Sequence, residues 1–399
     1  MSLNQFFRRL WQQRGSSDAQ INLLWLLHLG MTCLTWLQLG VLRQRSNNNF
    51  SIFKFSYSHL TQHQSLYTAY PTEHYDLFQY HPVFAVLFSP IALLPTPIDL
   101  FVWLFGSTIA FLWAITHIGL DKRWVVWLML LSVFELSKNV LHVQTNILIA
   151  TGMMATFIFF ERHEPTKAVL SAVFNFCIKG FGAITSLLAV LYPKSGRSII
   201  QGIVFTFLIS LSPLLFVSPS ELAKYYTDWL NLLRGDVISE PFSLVGFMTQ
   251  TLGLPTSIEP FVMGFGVLTL MVYWLILWLQ RSSLTTERRA YFLAFLLLWV
   301  VVFNRAAESA TYLMASTGLL IWYFFHKQNG TTTKAMTIFF IICFYWVAIV
   351  CSDLALPFLK AFDRKYYLRP LFALLPMFWI IIEEGQFFIK KISKLTIKH

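Results

Sequence analysis

Glu73, His74, Tyr75 and Asp76 stand side by side in a polar stretch, residues 43–81, that also holds Asn47, Asn48, Asn49, Tyr67 and Tyr80. Carboxylates interleaved with aromatic rings suit sugars, because rings stack on C–H faces and carboxylates accept hydrogen bonds from hydroxyls. The same composition also describes a solvated loop with tyrosines anchored at an interface. Two further polar groups mark helix turns: Glu135, Asn139, His142, Gln144 and Asn146 in one, Asn304, Arg305 and Glu308 in the other. Where the chain is helical, Glu135 shares a face with Asn139, and Asn304 with Glu308. Two such turns on one side of a helix bundle would build a cavity; otherwise they cap helix ends in water.

Lys179 is the sharpest single residue. It interrupts an apolar run, with Asn175 one turn earlier, and a lysine at the bilayer centre costs about 2.5–3.5 kcal/mol. It either binds a phosphate as a point charge or snorkels to an interface at a helix break. His59 and His63, four apart, have metal-ligand spacing. No third ligand is evident beside them, so the sequence predicts neither a metal site nor a cofactor. Cys33, Cys177, Cys343 and Cys351 lie in apolar segments without metal or disulfide spacing and read as lipid-facing or packing residues.

The elements that must position these side chains are membrane helices. Only 12% of the 399 residues are charged and 56% are hydrophobic, against roughly 25% charged in a soluble protein, so the chain cannot cover a water-facing surface of its size. Apolar segments recur along its whole length, bounded by polar or basic patches. They predict an all-α, polytopic transmembrane bundle, residues 1–399 as one integral membrane domain, with about ten to twelve spans. Arg8, Arg9 and Arg14 precede an apolar run at 21–42 with no small-residue cleavage site after it, which reads as a first span rather than a secretory signal. Residues 50–60 read as an amphipathic surface helix. Residues 82–94 are short for a span, and 168–192 form either one long helix or two short ones broken near Gly180.

The formal net charge of +11 is spread over many short loops. That pattern disfavours nucleic-acid binding and fits the orientation rule for basic loops. Both termini and the loop carrying Arg281, Arg288 and Arg289 are therefore expected in the cytoplasm, with 43–81 and 218–259 as the first and second external loops. Lys360, Arg364, Lys365 and Arg369 fall outside on this count, where they would meet membrane lipid headgroups or a lipid phosphate. No internal repeat of the transporter kind is visible.

The run Tyr75-Asp76-Leu77-Phe78-Gln79-Tyr80-His81-Pro82-Val83-Phe84-Ala85, continuing to Ser89-Pro90-Ile91-Ala92-Leu93-Leu94-Pro95, resembles the Y-x-P-x-F-A … P-x-x-x-L-P block of glycosyltransferase family 87. Gln144-Thr145-Asn146 is similar to the family's Q-x-N at a helix start, Ile178-Lys179 to its I-K, and Asn49-Phe50 with Leu66-Tyr67 to its D-F … L-Y frame. The resemblance covers most of the chain. It implies a GT-C fold in a bacterial inner (plasma) membrane and a hexosyltransferase with its active site outside. The donor would be a polyprenyl-phosphate sugar, with mannose as the expected hexose, and the acceptor a lipid or glycan.

Two departures stand out: His81 replaces a frequent proline, and Asn49 replaces the first-loop aspartate that would serve as base. An amide cannot take a proton at neutral pH, so the catalytic candidates become Asp76 first, then Glu73 and Glu308, with Asn49 left to orient a hydroxyl. Lys179, Gln144, Asn146, Asn304, Arg305, Glu308 and Tyr80 are the expected substrate-binding residues. The alternative is a non-enzymatic membrane protein, either a lipid-linked sugar transporter or an inactive relative, which the Asn49 departure favours.

Overall fold

The computed structural model describes residues 16–42, 47–235, 241–352 and 354–396. Arg8, Arg9, Arg14 and the last residues of the basic tail lie outside them. Among the described residues all regular structure is helical. Six helical stretches are long and apolar enough to cross a membrane: Ser17–Leu42, Ile98–His117, Lys122–Leu141, Ser195–Leu215, Thr256–Leu279 and Arg369–Lys391. The chain is an integral membrane protein. The remaining apolar segments fold as shorter helices, for a reason their burial supplies.

The first helix, α1 (Ser17–Trp36), starts on a Ser16 cap that accepts from the Ala19 amide and ends in a π turn, Leu37–Leu42. α2 (Asn48–Thr61) is the expected amphipathic helix. Its Phe50, Phe53 and Leu60 face inward, and Phe53 meets Tyr80, Phe84, Phe88 and Trp103 edge-on or tilted at centroid distances of 5.2–5.7 Å. Those partners lie around α3 (Pro82–Ala92) and on α4 (Ile98–His117). At 11 residues, α3 spans only about 16 Å and cannot cross a bilayer. It lies beside α2 and returns to the same end, where Lys54 reaches Asp99 at 2.5 Å and Trp36 donates to the Pro97 carbonyl at 2.9 Å.

α5 (Lys122–Leu141) and α6 (Asn146–Glu161) form the next hairpin. The ambiguous run 168–192 is broken in two. α7 (Pro165–Ile178) ends at Lys179, whose backbone is extended (φ −137°, ψ 128°), and a 3-10 helix, Gly180–Leu191, turns back from it. Asn175 wedges this hairpin: its side chain donates to the Ile149 carbonyl at 3.1 Å. A Cβ at Gly182 would sit 2.8 Å from the Asn175 backbone oxygen, and one at Gly152 only 2.1 Å from Asn175 Oδ1. Neither position has room for a side chain.

α8 (Ser195–Ser210) leads to α9 (Pro219–Gly235), which lies across the first polar segment. Tyr225 donates to the Gln64 carbonyl at 2.8 Å, Trp229 to the Gln79 carbonyl at 3.3 Å, and His63 meets Glu221 at 3.0 Å. The rest comprises α10 (Glu259–Leu279), α11 (Thr286–Val302), α12 (Tyr312–Gln328), α13 (Lys334–Phe344), the amphipathic α14 (Pro357–Tyr366) and α15 (Arg369–Thr396).

Helices α6, α11 and α12 are buried nearly all round, as expected of helices apolar on every face. They have 16 or 17 residues. Enclosed by protein, they need not match the width of the bilayer. α8, α10 and α15 instead present Ile200, Phe207, Phe261, Leu268, Ile382 and Phe387 outward.

Candidate active site

The N-terminus of α2, the tip of the α7 hairpin and the turns after α5 and α11 meet at one end of the bundle around a cavity of about 690 Å³. Its lining includes Asn48, Asn49, Asp76, Tyr80, His142, Gln144, Lys179, Phe242, Glu308 and Ser309. The chain is built locally to deliver each. Asn47 caps α2 by accepting from the Asn49 amide at 3.0 Å, which leaves Asn48 and Asn49 on the first turn. Asn48 Nδ2 donates to Asp76 Oδ2 at 2.7 Å and its Oδ1 accepts from the Tyr75 amide at 3.0 Å, so one amide fixes both the carboxylate and its backbone. Asn49 Nδ2 donates to the His142 carbonyl at 2.9 Å and ties α2 to the turn after α5.

That turn passes through Val143, fully buried with φ +52°. A β-branched residue in the left-handed region is strained, and such strain gathers at functional turns. It throws His142 and Gln144 to the cavity side by side. Burial lowers the pKa of the His142 imidazole, Lys138 adds to this, and Glu308 opposes it. Gln144 Nε2 reaches Glu308 Oε2, and Asn146 Nδ2 reaches Gln144 Oε1, both at 3.4 Å. Asn146 itself stands just behind the wall, buried, as the first residue of α6.

Tyr80 and His81 are held from beneath. Tyr80 stacks on Phe84 at 4.7 Å and its backbone oxygen accepts from Tyr67 at 3.0 Å. Burial raises the Tyr80 phenol and pushes the His81 imidazole down to about 4. His81 is packed against Phe176, Tyr226 and Trp229. Lys179 projects from the hairpin break with its ammonium 5.4 Å from the Tyr80 ring centre, a cation–π contact.

Behind Ser309 lies a charged group that joins helices distant in sequence. Arg369 meets Glu135 at 2.8 Å with both side chains 1% exposed, and Lys138 meets the same carboxylate at 2.7 Å. Arg369 also lies 3.8 Å over the Tyr312 ring, and both cations reach Ser309 Oγ, Arg369 at 2.9 Å and Lys138 at 3.3 Å. The buried Asp363 also acts on Arg369, so this group of two cations and two carboxylates holds Ser309 at the cavity wall. Of the basic group expected at lipid headgroups, Arg369 is thus drawn inward, while Arg364 and Lys365 stay exposed on α14.

Several other expected residues go elsewhere. Residues 304–308 are not helical: Asn304 Oδ1 accepts from the Ala306 amide at 3.1 Å, and Arg305 pairs with Glu259 at 3.2 Å. Asn304 and Arg305 line a separate cavity of about 340 Å³ with Gly180, Phe181 and Trp299. Glu73 turns away to His59, at 2.8 Å. The sequence reading missed Asn48, Ser309 and Phe242 as lining residues. Only Asn48 carried a signal, as the neighbour of Asn49 in an asparagine run.

Fold and cavity together define a polytopic membrane protein with carboxylates, amides and a lysine gathered at one end of a helix bundle. The model of glycosyltransferase family 87 matches residues 78–304, more than half of the chain, and the protein belongs to that family of membrane glycosyltransferases. No curated protein and no solved structure matches the chain.

Proposed function

We propose that this protein transfers a hexose, mannose first among candidates, from a polyprenyl-phosphate donor to a hydroxyl of a lipid or glycan acceptor on the outer face of a bacterial plasma membrane. The observation that carries the reading is the shared wall of one cavity by Asp76 and Lys179. A proton acceptor and a phosphate partner are the two groups the reaction asks for. The volume falls within the roughly 300–1,000 Å³ usual for small-molecule sites.

Asp76 accepts the proton of the acceptor hydroxyl as its oxygen attacks the anomeric carbon. The bond from that carbon to the phosphate oxygen breaks, and polyprenyl phosphate leaves as an anion. A single displacement of this kind inverts the anomeric centre. Charge develops on the leaving oxygen, where Lys179 and the positive N-terminal ends of α2 and α6 are placed to meet it. Asn48 holds Asp76 by one oxygen and leaves the other for the hydroxyl. Gln144, Glu308 and Tyr80 offer hydrogen bonds and a ring face to the sugar. The outward orientation is supported by the basic residues at the opposite end of the bundle, Arg281, Arg288 and Arg289. The basic Arg364 and Lys365 of α14, at the cavity end, run against that rule; with Phe358 and Phe362 exposed beside them, they have a composition suited to lying among lipid headgroups.

The test incubates purified protein with a panel of polyprenyl-phosphate sugars and candidate acceptors, and follows labelled product. Transfer by the wild type and its loss in Asp76→Asn supports the reading. Transfer of none of the panel returns the chain to the non-enzymatic alternative.

A further inference from the structure

The structure separates the histidines that their spacing pairs, and gives one of them different company. His63 swings out to Glu221 on α9. His59, 3% exposed, faces the segment that follows α2. There the Glu73 and His74 amides both donate to the Tyr70 carbonyl, at 2.9 and 3.0 Å. This turn folds Glu73 and His74 back over the end of α2. Tyr70 completes the lid: its ring stacks on His59 at 3.9 Å and its hydroxyl donates to the Ser65 carbonyl at 2.8 Å.

One ligand atom from each of His59, Glu73 and His74 lies within 4.8 Å of the others, and His59 Nε2 is 2.8 Å from Glu73 Oε2. Ligands about 2.1 Å from a tetrahedral zinc stand about 3.4 Å apart, so side-chain movements of up to roughly 1 Å, shared among the three residues, close the set. His74 Nδ1 donates to the Asp76 carbonyl at 2.7 Å. That bond fixes the tautomer and leaves the Nε2 lone pair free, the arrangement common to metal-bound histidines. The Glu73 side chain is 29% exposed, which gives an ion a way in and room for a water as fourth ligand.

We propose that His59, Glu73 and His74 form a binding site for a zinc-class divalent transition metal. Two imidazoles and one carboxylate select against magnesium and calcium, which take oxygen sets. On metal entry the proton shared by His59 Nε2 and Glu73 Oε2 leaves to solvent, and His59 keeps a single proton, on Nδ1. The site stands outside the cavity, so its role is positioning. It would staple residues 70–76 to α2 and, through the His74 bond, hold the backbone of Asp76. That consequence rests on the function proposed for Asp76; metal binding itself does not.

Full-length protein, freed of any affinity tag and stripped with chelator, is titrated with Co²⁺ and then Zn²⁺. The d–d absorption of bound cobalt and the bound-metal stoichiometry are read directly. One equivalent is expected in the wild type and in His63→Ala. Glu73→Gln, which keeps a hydrogen bond to His59, and His74→Gln should each weaken binding by at least about 10- to 100-fold, the loss typical of removing even an outer partner. A wild type that takes up no equivalent, or Glu73→Gln and His74→Gln proteins that bind like the wild type, would overturn the proposal. Neither readout depends on sugar transfer.

Discussion

The two ends of the helix hairpins treat buried charge in opposite ways. Away from the cavity, the most buried charges among the described residues are matched within the protein. Arg288 and Glu384 form a bidentate pair, with side chains 9% and 5% exposed. Arg289 meets Glu161, which also accepts from Thr286 and Tyr192. At the cavity end Lys138 and Arg369 share one carboxylate, while Lys179, Asp76 and Glu308 face open space. A charge matched on all sides is finished as structure. A charge left facing a cavity is available to a ligand, and the contrast separates scaffold from site.

Substitutions at four positions can break or sharpen that contrast. Asp76→Asn should lower transfer by about 10²–10⁴-fold, the usual contribution of a general base, with unfolding temperature unchanged because Asn48 can still bond the amide. Full activity in that protein would move the base to Glu308. At the other end, Glu384→Gln leaves Arg288 buried without its anion and should cost about 3–5 kcal/mol of stability, read as a lower melting temperature in detergent. The turnover of the protein that remains folded should be unaffected. A selective loss of turnover there would erase the difference between the ends. Lys179→Ala should raise the donor KM by about 10- to 100-fold, the equivalent of a hydrogen bond to a charged group, and Lys179→Arg should recover part of it. Unaltered donor binding would leave Lys179 as a residue held only by the Tyr80 ring. The smallest effect is expected of Asn49→Asp. The sequence alone suggests that a second carboxylate is tolerated or even helpful. The structure gives Asn49 Nδ2 a donor role toward the His142 carbonyl, and a carboxylate there faces an oxygen. We expect a loss of about 1 kcal/mol in thermal stability and no gain in rate.

Much of the fold was legible because apolar periodicity and helix breakers are local. The amphipathic α2 and the short α3 declare themselves within a dozen residues, whereas 168–192 fitted one long helix as well as the two that the structure forms around Lys179. The cavity was legible where a residue is polar in an apolar run, as with Lys179, sits at a helix start, as with Gln144, or stands among carboxylates and aromatic rings, as with Asp76. It was not legible where a partner comes from far along the chain. Glu73 resembled a free carboxylate until His59 folded beside it. Arg305 pairs with Glu259, and Arg369 crosses the bundle to Glu135. The shared face expected of Asn304 and Glu308 assumed a helix that the turn does not form. Ser309 carried no signal at all, since its importance comes only from the cations behind it.

The hairpin that carries Lys179 has one further consequence. A helix that spans the bilayer alone answers a thinner or thicker membrane by tilting, and the outward-facing α10 and α15 are the ones placed to respond in this way. The two arms of the Lys179 hairpin are not. They pack against α6, α8 and α11, and Asn175 is wedged against Gly152 and Gly182 with no slack for sliding. The height of the lysine is therefore referenced to the protein interior rather than to the lipid. Changes in acyl-chain length would reshape the rim of the molecule while leaving Lys179 at its depth in the protein.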